Sequence, residues 1–272
     1  MAPAAHAAAP LPASQHPEGP LSEAGDMSGL NNPYLLACLN AFAHNQFSRG
    51  EQYCNLAIMI DPKDSDALEM LGYGFLLQHR FERAAAEFAA ALQINPDKAE
   101  VLAGYGRSLT GLGDYAGAVT QFEKAVALVP GNSAYHNGLC WARTASGKNL
   151  NVALSDCNTA LRLAPGAPGP LNSRGLAELR LNRFSDAVTD YTASLKVQPL
   201  QPSARFGRGL AYLALGQITA GSADIVAARA RDPDMDGIFT QMGILPENCD
   251  TNPKCPAGFP PVAKGNRQVA QR

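Results

Sequence analysis

The sequence predicts an all-α solenoid of six helix–turn–helix repeats, and three observations predict it. Prolines stand at 62, 96, 130, 165, 199 and 233, with steps of 34, 34, 35, 34 and 34 residues. A fixed period of this size marks a stack of identical supersecondary units. A turn signal falls near the middle of each interval: Asn45-Gln46-Phe47, His79-Arg80-Phe81, Gly113-Asp114-Tyr115, Gly147-Lys148-Asn149, Asn182-Arg183-Phe184 and Gly216-Gln217-Ile218. On either side of the turn, apolar residues recur at helical spacing. Leu68, Leu71, Gly72 and Phe75 share one helical face, as do Ala84, Phe88, Ala91 and Leu92.

Taken in order, residues 1–30 form an Ala- and Pro-rich tail that cannot bury a core and is expected to be disordered. Asn31-Asn32-Pro33 starts the first helix, since Asn caps and Pro is tolerated in a first turn. The repeats run 31–64, 65–98, 99–132, 133–167, 168–201 and 202–235, the fourth carrying one extra residue. Gly or Asn, present in five of the six turns, suits a left-handed helix-ending residue. The mid-helix glycines lower helix propensity and point to close approach of the two helices. The closing proline stops the second helix. Residues 236–245 read as a capping helix, with Ile238, Phe239 and Met242 covering the open end of repeat six. From 246 to 272 the chain reads as irregular, then disordered.

Gly72, Ala84, Phe88, Ala91 and Pro96 in repeat two, and Gly106, Ala118, Phe122, Ala125 and Pro130 in repeat three, carry a family pattern. The units resemble tetratricopeptide repeats. Repeat five fits with Gly175, Ala187, Tyr191 and Pro199, but has Ser194 for the third small residue. Repeat one departs with Cys38, Gly50 and Cys54, repeat four with Cys140 and Cys157, and repeat six with Ile225 and Arg231. The resemblance covers about three-quarters of the chain and implies a right-handed solenoid whose first helices line a concave groove. It implies a protein-binding function. The two-lysine, two-asparagine carboxylate clamp of the eukaryotic chaperone-binding members is missing, since neither Leu35 nor Leu39 supplies its first pair.

Six cysteines occur, at 38, 54, 140, 157, 249 and 255. Cys38 and Cys54 lie eight residues either side of Gln46, so an antiparallel hairpin puts them at one level. Cys140 and Cys157 straddle the turn of repeat four in the same way, and the inserted residue keeps the symmetry. Both pairs replace the small residue of the first helix and the aromatic of the second. That placement suits disulfides; buried free thiols are the alternative. Cys249 and Cys255 flank a turn-rich loop short enough to close, and two such residues without His neighbours do not make a zinc site.

Three plausible local pairs favour an oxidising compartment. The first basic residue is Arg49, so the N-terminus lacks the positive start of a secretory signal. The expectation is a mature periplasmic or exported protein whose signal has been removed; a cytoplasmic protein is the alternative. Abundant alanine and few lysines look bacterial. A net charge of −2 argues against a nucleic-acid or polybasic membrane surface, and no apolar run reaches the ~20 residues of a membrane span.

No catalytic, metal or cofactor constellation is found, and no cofactor is expected. The histidines stand singly, no phosphate-cradling loop occurs, and the carboxylates read as solvated faces. The remaining candidates lie on the first helices off the core face: Tyr73, Arg107, Asn137, Trp141, Asn172, Leu176 and Arg180. Asn137 and Asn172 hold equivalent places and can bind a peptide backbone, or serve as solvated asparagines. Trp141 and Tyr73 are either anchors or inter-repeat packing. Arg107 and Arg180 suit a partner carboxylate. The partner is expected to be a protein offering an extended or helical segment, within a pilus, secretion or transport complex of the bacterial envelope. A recruiting subunit of a partner enzyme, and a self-associating protein joined through Leu35, Leu39 and Phe42, are the alternatives.

Overall fold

A computed structural model describes residues 32–246, 249 and 254–261. The expected N-terminal disordered tail and the last eleven residues lie outside them. The described residues form an all-α fold of paired helices with no strand, and they fall into two compact units, 32–131 and 132–261. Unit one holds α1 (Pro33–Ala43), α2 (Phe47–Ile60), α3 (Ser65–Leu77), α4 (Phe81–Ile94), α5 (Ala99–Gly111) and α6 (Tyr115–Leu128). Unit two holds α7 (Ser133–Ser146), α8 (Leu150–Leu163), α9 (Pro168–Arg180), α10 (Phe184–Val197), α11 (Pro202–Ala214), α12 (Ile218–Arg229) and α13 (Met235–Gln241). No helix among them is long and apolar enough to cross a membrane.

Each odd-numbered helix up to α11 pairs with the one that follows. Within a unit, the first helices of successive hairpins also touch, α1 with α3 and α3 with α5, α7 with α9 and α9 with α11. Left-handed residues make the hairpin turns: Asn45, His79, Gly113, Asn182 and Gly216 singly, and Gly147 with Asn149 in the fourth, with φ between 54° and 78°. Side-chain caps start several helices; Asp64 accepts from the amides of Asp66 and Ala67, and Asn132 from those of Ala134 and Tyr135.

The packing unit is an aromatic ring held between two glycines. Phe88 is fully buried, and a Cβ on Gly72 of its own hairpin would lie 2.9 Å from the ring. A Cβ on Gly104 of the next hairpin would lie 2.6 Å from it. Tyr191 is held the same way by Gly175 and Gly207. The second glycine of each pair is what lets successive hairpins close on the ring.

In repeats one and four a disulfide stands at the two positions that Gly72 and Phe88 hold in repeat two, while in repeat one the Phe42 ring is clasped by Gly50 and Gly74 instead. Cys38–Cys54 and Cys140–Cys157 each bridge Cα atoms 5.2 Å apart and are fully buried. Cys249–Cys255 closes the C-terminal loop with Cα atoms 5.4 Å apart. All six cysteines are therefore paired.

The C-terminal region differs from expectation in two ways. α13 starts at Met235 and ends at Gln241, short of 245, because Gly243 turns left-handed (φ 68°) and the Ile244 amide bonds back to the Phe239 carbonyl at 2.9 Å. The described residues 254–261 are irregular, but they dock on unit two. Ser222 Oγ donates to the Gly258 carbonyl at 2.7 Å, Arg229 Nη1 donates to the Pro260 carbonyl at 2.8 Å, and the Phe259 ring meets Phe206 at 6.3 Å.

Candidate functional site

The candidate residues lie on the first helices of the hairpins, and each unit is considered separately. In unit one, α3 buries ten consecutive residues, Ala67 to Leu76. Tyr73 is among them. Its ring meets Phe88 edge-on at 5.0 Å and its hydroxyl donates to the Glu100 carbonyl at 2.9 Å. The side chain is inter-repeat packing, so its reading as an exposed anchor is corrected: both its apolar body and its polar tip are already used. Leu35 and Phe42 are likewise buried in the core of this unit, which removes them as an exposed apolar end.

Arg107 is half-buried and makes no hydrogen bond or ion pair among the described residues. Nearby chemistry on α3 is self-contained: Lys98 meets Asp66 at 2.5 Å and Glu69 at 2.6 Å. Burial pushes the Glu69 carboxyl above its ordinary value, against the pull of Lys98.

In unit two, Trp141, Asn172 and Leu176 are brought together, and α13 lies over them. With Tyr191 and Ser203 they line a small cavity closed by Ile238, Phe239 and Met242. Trp141, Asn172 and Leu176 are all buried. Asn172 Nδ2 reaches Ser203 Oγ at a long 3.4 Å, and the buried Tyr191 hydroxyl has no hydrogen-bond partner. Burial raises that hydroxyl's pKa well above its ordinary value. Arg180 meets three carbonyls: Nη1 donates to Thr144, Ala145 and Met242 at 2.9, 3.0 and 2.9 Å. Asn137 is half-buried on α7, and its Oδ1 has no hydrogen-bond partner among the described residues.

Several carboxylates are structural, which corrects their reading as solvated. Arg174 holds Asp190 through two bonds, at 2.5 and 2.8 Å, and donates to Asn158 at 3.0 Å. Arg208 repeats the arrangement one unit on, with Asp224 at 2.7 and 3.0 Å and Thr192 at 3.2 Å. Arg143 pairs with Asp156 in the preceding hairpin. These contacts, bidentate at Arg174 and Arg208, tie first helix to second. The 16-residue spacing of Arg174/Asp190 and Arg208/Asp224 is visible in the sequence, but it acquires meaning only once the hairpin is folded. Glu178 sits beside the Asp190 pair, and its Oε2 has no hydrogen-bond partner among the described residues. Burial, aided by the Asp190 charge, pushes its pKa up to about 8.

Known proteins place this architecture. Tetratricopeptide-repeat family models match residues 75–140 and 172–236. The protein FlbA of Caulobacter vibrioides is 33% identical over 153 residues, covering 54% of this chain and 23% of FlbA. The Hsp70-Hsp90 organizing protein of Triticum aestivum is 28% identical over 106 residues, covering 39% of this chain and 18% of its own length. The chain thus spans less than a quarter of either relative. The crystal structure of PilW, described as a widely conserved type IV pilus biogenesis factor, superposes with a TM-score of 0.65 at 19% identity. It covers 79% of this chain and all (100%) of its own, a likeness of fold. With two family matches, glycine-clasped aromatics at the repeat period and hairpins throughout, the chain is a tetratricopeptide-repeat protein.

Proposed function

We propose that the protein is a non-catalytic interaction scaffold that holds a segment of a partner protein against the first helices of its hairpins. The reading is carried by one polar group in each unit that has no internal partner among the described residues, Arg107 in unit one and Asn137 Oδ1 in unit two. A buried acceptor without a donor costs about 1–3 kcal/mol, a cost that a partner's backbone amide removes. Arg107 supplies a cation for a partner carboxylate. Tyr73 shapes the hairpins that present these groups, and Trp141, Asn172, Leu176 and Arg180 lie beneath or against α13.

The setting we propose is a cell-envelope complex of a bacterium, of pilus, secretion or transport type, with the protein exported. Pairing of all six cysteines supports export, because disulfides persist in oxidising compartments. The likeness to a pilus biogenesis factor in fold is in keeping with it.

Two measurements test the reading. Crosslinking in the native cell followed by pull-down is expected to recover a discrete partner with the wild-type chain and to lose it with Arg107→Ala/Asn137→Ala; equal recovery by the variant would sink this site. Non-reducing mass spectrometry of the native protein is expected to show no alkylatable thiol, and six free thiols would remove the argument for export.

A further inference from the structure

We propose that Met235–Leu245 is a resident ligand of unit two, seated on the face of α7, α9 and α11 that takes the partner. It shows by its own contacts what that partner brings: a short apolar helix of Ile-Phe-x-x-Met pattern that displaces it. The proposal rests on the scaffold reading above and adds the chemistry of the bound segment.

α13 packs on α11 and on α12, where Arg229 holds Asp236 at 2.8 and 2.9 Å, and its far side shares a cavity with first helices well back in the sequence. Phe239 packs on Phe206 of α11, with ring centroids 4.6 Å apart. Ile238, Phe239 and Met242 meet Trp141 of α7 and Asn172 and Leu176 of α9 around one cavity. Just past the helix, the Met242 carbonyl accepts from Arg180 Nη1 at 2.9 Å. The segment thus reads three successive hairpins, with apolar side chains at i, i+1 and i+4 and a helix-terminal carbonyl on an arginine. This is the way an amphipathic helix is bound in a groove.

Three features make the seat exchangeable. α13 has seven residues, too few to persist as a helix away from its seat. A cavity is left beneath it, so packing atoms are missing on both sides. The Tyr191 hydroxyl there has no partner, and the Asn172–Ser203 contact is stretched to 3.4 Å. A helix that fills the cavity and offers an acceptor to Tyr191 binds the same face better than the resident segment does. The tether compensates for the poor fit, because it gives the resident a high effective concentration.

The test uses the full chain and a labelled synthetic peptide spanning 235–245. Trp141 is the sole tryptophan, the peptide has none, and so emission reports on the seat. Phe239→Ala/Met242→Ala is expected to shift Trp141 emission to the red with helicity retained. The same variant is expected to bind the peptide at least tenfold more tightly than wild type, with emission returning to the blue. Unchanged emission, or equal affinity for the peptide, would overturn the proposal. If the variant loses helicity, amide hydrogen exchange of the wild type decides. Protection over 238–242 is expected at least a hundredfold below that of α9 and α11, and equal protection overturns the proposal. If a native partner is captured by the wild type but equally by an intact variant, this inference fails and the scaffold reading stands. If the peptide exchanges but native crosslinking yields no partner, the scaffold reading fails and the resident segment stands.

Discussion

Glu178 shows how much a single buried carboxyl can matter to this molecule. Its pKa is raised from 4.5 to about 8 in the folded chain, chiefly by burial. Its contribution to stability is therefore fully present below about pH 4.5, where it is neutral in both states, and is lost as the pH rises through 8. Glu178→Gln mimics the neutral form. In urea unfolding with disulfides intact, the variant is expected to match wild type near pH 4.5 and to exceed it by on the order of a few kcal/mol near pH 9. A constant gap across that range would show that Glu178 ionises freely. The clasped rings make a second residue-scale case. A Cβ on Gly207 would fall 2.4 Å from the Tyr191 ring and hydroxyl. Gly207→Val is expected to cost about 1–3 kcal/mol through overpacking, read as a lower urea midpoint.

At the scale of elements, the two hairpin disulfides stand at the positions that Gly72 and Phe88 hold in repeat two, and the three disulfides are not equivalent to one another. Cys38–Cys54 crosslinks α1 to α2 over a separation of 16 residues. Its removal by Cys38→Ala/Cys54→Ala is expected to cost about 3 kcal/mol, checked by denaturant unfolding. Both hairpin disulfides are fully buried, whereas Cys249 and Cys255 are half-exposed. Mild reduction with alkylation and peptide mapping is expected to label Cys249 and Cys255 first, since exchange needs access to sulfur. Simultaneous labelling of all six would mean the hairpins open as readily as the loop. Phe259, four residues past Cys255, meets Phe206, which Phe239 of α13 also meets.

For the whole molecule, the burial of Leu35 and Phe42 in the core of unit one removes the apolar end on which self-association would rest. The scaffold reading then expects a monomer. Light scattering across concentration is expected to hold at the chain mass of 28.6 kDa, and a rise toward twice that value would favour a self-associating protein. No nucleic-acid partner is proposed, since the net charge is only −2 and the arginines Arg143, Arg174 and Arg208 are committed to aspartates.

The repeat period, the hairpin turns and the pairing of cysteines were legible in the sequence because they are local. A proline every 34 or 35 residues, a left-handed Asn or Gly at a fixed offset, and cysteines equidistant from a turn depend only on geometry within one hairpin. The closer clasp by Gly104 and Gly207 was missed because it joins consecutive hairpins. Trp141, Leu176 and Arg180 had the right pattern for an open face, yet their environment is set by Phe239 and Met242, up to about 100 residues away. Asp190 and Glu178 looked like solvated charges until Arg174 and the burial of α9 against α10 decided otherwise. Local periodicity determined the repeats; long-range packing decided which of their side chains are covered, because burial is a property of what lands on a surface and no single repeat encodes it.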